Sequence, residues 1–192
     1  SSAASDVYKR QVLAAAAVVA LPLLARERYE EKFQKTETLP KDGRVFLINV
    51  SGDVDVRSAK EDVVRIEATK RSEASSQAKA KENADQVTIE VVREGQNLRI
   101  ETKYPKTKKF WGGDSLNVSV DYKVTIPEKA ALDVRNVSGD AVIAGIGGAL
   151  KAEVVSGDLT VRGAAAGADV KVTSGNLEVY DIIGDAYLTN TS

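Results

Sequence analysis

The side chains best suited to bind a ligand are concentrated in residues 103–111. This segment holds four lysines and three aromatic residues in nine positions, and it includes the single tryptophan of the chain. Lysine ammonium groups attract phosphate or carboxylate, whereas exposed aromatic rings stack on sugars or lie at a membrane interface. The segment is therefore a candidate ligand-binding loop. Its candidate contact residues are Lys103, Tyr104, Lys106, Lys108, Lys109, Phe110 and Trp111.

A structural role for the same segment stays open. Phe110 and Trp111 could instead pack over the open end of a repeat array and serve as a cap. Nucleic acid would use similar lysine and aromatic chemistry. A formal net charge of −1 argues against that ligand, and so does the evidence for export given below.

A second candidate site is a set of repeated corners. Ser-Gly-Asp occurs at residues 138–140 and again at 156–158, and Ser-Gly-Asn follows at 174–176. Stacked at this spacing, Asp140, Asp158 and Asn176 would form one column, whose oxygens suit Ca²⁺. The calcium-binding nonapeptide G-G-x-G-x-D is absent, however. We therefore expect no metal, and we expect aspartates that cap tight turns through their own backbone.

The composition leaves little for catalysis. The chain has no His and no Cys, which removes the usual imidazole base, thiolate nucleophiles and disulfides. A polysaccharide lyase or hydrolase would need carboxylates clustered in one groove. Here the carboxylates are scattered, many of them at outward positions of alternating strands. We expect a protein that is not an enzyme and that carries no cofactor.

The C-terminal third shows the element that would position these corners. From Gly139 onward the chain divides into six nine-residue units, and the third and fifth positions are apolar in all twelve cases. Polar residues mostly lie between them, which is the period-2 pattern of a strand with one buried face. Since alternate units differ, the period is 18. This pattern predicts an all-β, single-chain β-solenoid with 18-residue coils, each made of two nine-residue strand-turn units.

The middle of the chain repeats the corner sequence once and then elaborates it. Asn-Val-Ser-Gly-Asp occurs at residues 49–53 as it does at 136–140. A loop (58–62), a strand (63–68), a solvent-facing helix or loop (72–85), a hairpin (87–93 with 98–102) and a strand ended by Pro127 (116–126) are predicted in between. We interpret residues 49–135 as widened first coils with an N-terminal cap containing the β-hairpin. Residues 136–192 are the regular repeats.

The first 25 residues indicate export. Residues 12–25 carry no charge, follow Lys9 and Arg10, and precede a highly charged stretch, as in a signal peptide. Fourteen residues are too few for a comfortable bilayer span, which takes roughly 20. A buried Ala-rich helix is the alternative. Because the chain has no Met, residues 1–11 are interpreted as a non-native leader, with a genuine polar tail as the alternative, and residues 26–48 as the start of the mature chain.

The order of these segments resembles a known family. A Glu-rich start at residues 29–33 leads into Gly-Arg-Val-Phe-Leu-Ile-Asn-Val-Ser-Gly-Asp, and strands at 64–70 and 118–127 precede the repeated Val-Ser-Gly-Asp. The series is similar to the bacterial putative-adhesin domain family, from about Arg26 to Ser192. The resemblance implies a β-solenoid fold and an envelope-associated or surface protein, with no assigned reaction.

Three functions follow as expectations. The first is an exported adhesin or structural scaffold, located in the periplasm, on the cell surface or in the medium. The alternatives are an envelope-stress sensing or signalling module and, third, an exported polysaccharide-active enzyme. The expected partners are an envelope glycan, a surface protein or a second copy bound through the open end of the array. Nucleic acid and a stable membrane span in the mature chain are not expected. Because another repeat would begin at Ser192, we expect the native array to continue.

Overall fold

The fold is all-β, as predicted. A computed structural model describes residues 26–105 and 116–191, and within them it contains fourteen strands and one helix. The predicted leader and signal peptide lie outside the described residues, and so do Lys106, Lys108, Lys109, Phe110 and Trp111 of the candidate loop. The elements are β1 (Glu27–Thr38), β2 (Arg44–Ser51), β3 (Val54–Ala59), β4 (Val63–Ala74), α1 (Gln77–Asp85), β5 (Thr88–Glu94), β6 (Asn97–Lys103), β7 (Val118–Pro127), β8 (Ala131–Ser138), β9 (Ala141–Ile146), β10 (Leu150–Ser156), β11 (Leu159–Ala164), β12 (Ala168–Ser174), β13 (Leu177–Ile182) and β14 (Ala186–Asn190).

The strands form two mixed seven-stranded sheets that share one core. Sheet A has the order β1-β4-β7-β3-β9-β11-β13, and sheet B has the order β14-β12-β10-β8-β2-β6-β5. The pairs β1–β4, β4–β7 and β5–β6 are antiparallel, whereas all other pairs in these sheets are parallel. The chain alternates between the sheets from β8 to β14, so successive strands in one sheet are never consecutive in sequence.

The parallel part is built on a constant register of 18 residues. In sheet B, Leu132 pairs with Leu150, and Leu150 pairs with Ala168. In sheet A, Ala141 pairs with Leu159, which pairs with Leu177. Each residue therefore lies beside its counterpart one repeat later. Since side chains alternate across a strand, this register stacks like on like on each face.

The predicted inward positions of the repeats form the core. The third and fifth positions are buried in the four units from β9 to β12. In β13 the corresponding Leu177 and Val179 are only partly buried, and in β14 Ala186 and Leu188 are exposed. Among the described strands, these two are the last in their sheets and have a neighbour on one side only.

The repeat containing residues 49–53 is in register with the later ones although 87 residues separate them. Asn49 pairs with Asn136 and Ser51 with Ser138, and β3 pairs with β9. The intervening chain forms β4, α1 and β5 to β7 at one end of the sheets. The predicted hairpin is present as β5–β6, and β7 ends at Pro127 as expected.

The helix differs from the sequence-based prediction. Strand β4 extends to Ala74, so α1 begins only at Gln77. Ala80, Asn83 and Ala84 are buried, and α1 packs against β4 and β1 rather than facing solvent all round. A helix was one of the two predicted alternatives, and its buried face was not predicted because two small alanines, not large apolar residues, form it. In residues 26–105 and 116–191, no helix has the length and apolar character needed to cross a bilayer.

Candidate functional site

The corners bring the backbones of successive repeats into close contact. We call the turns at residues 51–53, 138–140, 156–158 and 174–176, which lead from sheet B to sheet A, the corners. Gly157 has a φ of +139°, and a Cβ built on it would lie 2.2 Å from the carbonyl oxygen of Gly139. The amide of Gly139 donates to the carbonyl of Ser156 over 3.0 Å. Only glycine fits this stacking, because of both its φ and the space.

The corner carboxylates form a column, as the spacing predicted, but they do not cap their own turns. The Asp140 Oδ1 accepts a hydrogen bond of 2.9 Å from the backbone N–H of Asp158 in the next repeat. The Asp158 Oδ1 accepts one of 2.8 Å from the N–H of Asn176. The Asp53 Oδ1 likewise accepts a hydrogen bond of 2.9 Å from the N–H of Asp140, and the Asp121 Oδ1 accepts one of 3.0 Å from the N–H of Asp53. The expectation of local turn caps was wrong, because each carboxylate satisfies its neighbour's corner instead.

The column therefore links successive repeats through hydrogen bonds. The hydrogen bonds donated by Asn176 hold the pKa of Asp158 below its usual value, because they favour the charged carboxylate. Over the described ranges, His, Cys, Asp and Glu side chains form no group of three or more suited to hold a metal ion. One oxygen of each of Asp53, Asp140 and Asp158 already accepts a backbone hydrogen bond.

The described part of the lysine-aromatic loop is its base. The Lys103 Nζ lies 2.6 Å from a Glu90 carboxylate oxygen across the β5–β6 hairpin, and this hydrogen bond raises the pKa of Lys103. The Tyr104 hydroxyl donates to the carbonyl of Val118 over 2.8 Å, and burial raises the pKa of Tyr104 to about 12. Both candidate residues thus tie the start of the loop, Lys103 to β5 and Tyr104 to β7. Whether residues 106–111 bind a ligand stays a prediction.

A buried polar cluster lies next to the first corner, and sequence reasoning missed it. The Thr102 hydroxyl donates to the Asn49 Oδ1 over 3.0 Å and lies 2.7 Å from the Tyr122 hydroxyl. The Asn49 amide donates to the carbonyls of Gly52 and Val120. Burial raises the pKa of Tyr122 to about 12. The repeated Asn at positions 49 and 136, set at an inward position of an alternating strand, was the available signal.

The outward face of sheet B carries two ladders of alternating charge. Along one row Lys151 lies between Asp133 and Asp169. Along the next, Glu153 lies 3.8 Å from Arg135 on one side and 3.8 Å from Lys171 on the other. Exposed pairs of this kind contribute at most about 1 kcal/mol each. Their main effect is to leave this face with balanced rather than clustered charge.

A row of valines runs beside these ladders. Val50 and Val137 are 38% and 37% exposed, and Val155 continues the row in the next repeat, partly exposed. Sheet A has no such row among its described outward residues: Val142 is 37% exposed but lies between Asp55 and Thr160. We call the outward row of Val50, Val137 and Val155 the valine row. It is a contiguous apolar strip, and the partly exposed Phe46 and Ile48 on the outward side of β2 lie next to it in the rows of the charge ladders.

Comparison with known proteins does not assign a family. No protein-family model matches the chain, and no curated protein sequence matches it. The fold is similar to a putative cell adhesion protein from Clostridium sporogenes, with 10% identity and a TM-score of 0.41 over 83% of this chain and 100% of that chain. It is similar to a putative lipid binding protein from Parabacteroides distasonis, with 15% identity and a TM-score of 0.36 over 81% and 68%. It is also similar to a putative adhesin from Bacteroides fragilis, with 8% identity and a TM-score of 0.26 over 83% and 97%. With every TM-score below 0.5, these likenesses support no conclusion about what the chain does.

Proposed function

We propose that this chain is an exported, non-enzymatic β-solenoid that acts as an adhesin or structural scaffold of the cell envelope. Its contact surface is the outward face of sheet B, centred on the valine row. The observation that carries the proposal is this apolar strip, which recurs at one position of successive repeats. A surface that repeats with the strand spacing, about 4.8 Å, suits an extended partner such as an envelope glycan or a surface protein.

The solenoid interpretation draws on the constant register and on the corner column. Parallel pairing at an offset of 18 residues places each strand on its counterpart. The corner bonds from Asp140 to Asp158 and from Asp158 to Asn176 continue that stacking between the sheets. Such an array is stiff along its axis, because each repeat is held by hydrogen bonds on both walls and at the corner. A stiff axis is what a scaffold or adhesin requires.

The valine row fits a contact surface better than the rest of the outward faces. Apolar strands exposed to water are usually interrupted by charge, and contiguous apolar patches on soluble faces mark interaction sites. Val50 and Val137 are neighbours on β2 and β8. The balanced charges beside the row can form polar contacts at its rim without repelling either acidic or basic partners.

The absence of a reaction is supported by how the carboxylates are used. Those of Asp53, Asp140 and Asp158 accept corner hydrogen bonds, and Glu153 and Asp169 lie beside lysines or arginines of adjacent repeats. Export is supported by residues 12–25 and by the family resemblance of the sequence. Neither of these supports names a ligand.

A matched pair of substitutions tests the contact surface. Val137 and Val142 are equally exposed and lie in the same repeat, one on sheet B and the other on sheet A. We expect the full chain to co-sediment with isolated envelope or polysaccharide fractions, and Val137→Asp to weaken that binding at least tenfold. Val142→Asp should leave it unchanged. Loss of binding in Val142→Asp alone would contradict the assignment to sheet B.

Two further measurements in the same assay test the other two candidate sites. Trp111→Ala tests the lysine-aromatic loop, and EDTA tests the column of Asp140, Asp158 and Asn176. If only Trp111→Ala abolishes binding in a folded protein, the loop and not the valine row is the ligand site. Loss with EDTA would assign the column. No binding to any fraction would contradict the adhesin and favour the sensing module.

A further inference from the structure

Strand β1 presents a long unpaired edge. It spans twelve residues, forms one end of sheet A, and pairs antiparallel with β4 along its whole length. Its other edge has no neighbouring strand within the described residues. A row of unpaired backbone N–H and C=O groups is a template for another strand, and proteins protect such edges by shortening or bending them or by placing charged residues on them. β1 is neither short nor bent away, being one of the two longest strands of the described fold, but it is rich in charged residues.

The inward face of β1 is only half covered. Phe33 is partly buried against the core, and it lines an open cleft of about 320 Å³ together with Glu31, Lys70, Val87 and Ile89. The Lys70 Nζ lies 3.1 Å from the Glu31 carboxylate in this cleft. The β4 residues beside β1 on this face are buried, from Val64 to Ser72, whereas Glu31 and Lys35 of β1 are exposed. A further strand beside β1 would therefore add cover where the core is open.

The charges of β1 select one register for pairing with itself. In an antiparallel pair centred on Phe33, Glu31 of each copy faces Lys35 of the other, and no like charges are opposed. A centre at Glu31 or at Lys32 opposes that residue to itself, and a centre at Gln34 opposes Glu31 to Glu37. Like charges directly opposite each other are destabilising. The Phe33-centred register is thus the favourable one among the four central choices.

We propose that β1 pairs antiparallel with β1 of a second copy, centred on Phe33, and joins the two seven-stranded A sheets into one. The two Phe33 rings lie side by side over the open cleft, and each Lys35 contacts Glu31 of the second copy. The contact is isologous, so it closes as a two-fold dimer and leaves no free β1 edge. This surface is distinct from the valine row and does not depend on the proposed function.

Cysteine cross-linking tests the register directly, because the chain has no cysteine of its own. Only the residue on the two-fold axis faces itself, with Cα atoms about 4.5 to 5.5 Å apart, within reach of a disulfide. Full-length Phe33→Cys, oxidised with copper phenanthroline, should give a covalent dimer. Thr36→Cys is the control, because its two copies would lie about 20 Å apart along the strands. Cross-linking of Thr36→Cys but not Phe33→Cys would overturn the register.

Two lysines of the same strand give a charge test that needs no cross-link. Lys35→Glu would face Glu31 of the second copy twice per dimer, and we expect the dimer dissociation constant from sedimentation velocity to rise about tenfold. Lys32→Glu changes the charge equally but faces only Gln34, so it should have little effect. Lys35 also lies 2.8 Å from Glu37 of its own strand, so monomer unfolding is measured in parallel. A wild-type chain that stays monomeric at all concentrations, with no Phe33→Cys cross-link, would overturn the proposal.

Discussion

The two ends of the sheets are built by different rules. In the parallel repeats, β8 to β14, every strand lies beside a copy of itself displaced by 18 residues. In the antiparallel end, formed by β1, β4, α1 and β5, strands of unrelated sequence pair, and α1 packs against β4 and β1. The first arrangement is specified once and repeated. The second has to be specified residue by residue.

At the junction between the two regions, the inward-facing rows of residues change from polar to apolar. One inward row runs from Thr102 and Asn49 through Asn136 to Val154 and Val172, and so passes from polar to apolar. Tyr122 likewise lies in a row that continues as Val54 and Ala141. Where the inserted elements, β4, α1 and β5 to β7, join the repeats, hydrogen bonds between specific side chains replace the apolar rows of the core. The hydrogen bonds that join Thr102 to Asn49 and Tyr122 can form in only one arrangement, so they fix the position of the inserted strands.

The largest effect should come from blocking the stacking at a corner. Gly157→Ala would place a Cβ 2.2 Å from the Gly139 carbonyl oxygen at a φ of +139°, so the repeats must separate. We expect the free energy of unfolding to fall by at least about 3 kcal/mol. Gly95→Ala in the β5–β6 turn is the control, because its φ is +64° and no atom lies within 4 Å of the added Cβ. It should cost about 1 kcal/mol.

Urea denaturation followed by far-ultraviolet circular dichroism measures both glycine variants. Equal losses would mean that backbone conformation alone, and not close stacking, explains the corner glycines. The comparison between the two regions would then be weakened, because the turn of the antiparallel hairpin and the corner of the repeats would obey the same rule.

The sequence predicted the repeats well for a physical reason. When each residue of β10 lies beside its counterpart 18 residues away, a period counted along the chain is also a contact map. No such relation exists for β1 and β4, where Phe33 lies beside Ala68. The pattern of residues along β1 therefore does not indicate which strand lies beside it.

The candidate site was predicted less completely than the fold. The column of Asp140, Asp158 and Asn176 follows from the spacing. The spacing does not show, however, that each carboxylate accepts from the backbone N–H of the next repeat and not from its own turn. The valine row needed the register of sheet B before its members on β2, β8 and β10 could be seen as neighbours. The polar cluster joins Asn49 to Thr102, which are 53 residues apart, so only the folded chain shows the pair.

The polar junction gives the second prediction. Thr102→Val keeps the shape but leaves the buried Asn49 Oδ1 without its donor and Tyr122 without its partner. We expect a loss of about 2 kcal/mol in unfolding free energy. Asn136→Val should cost about as much, about 2 kcal/mol, because it removes the hydrogen bonds that the Asn136 Nδ2 donates to the carbonyls of Gly52 and Gly139. A larger loss in Asn136→Val would place the critical polar contact in the repeats.

The smallest effect should appear only in alkaline solution, and it concerns Tyr122. Burial raises its pKa to about 12, from 10.0 for an unperturbed tyrosine, and its side chain is 3% exposed. Because the unfolded chain loses this proton first, the stabilising contribution is complete below pH 10 and is lost as the pH rises from 10 towards 12. Tyr122 alone should therefore remove about 1 kcal/mol by pH 11. Tyr122→Phe has no proton to lose, so its urea midpoint should fall less steeply over this range than that of the unmodified chain. The same slope in both proteins would mean that the junction opens before Tyr122 ionises, and that the polar cluster is less rigid than the repeats beside it.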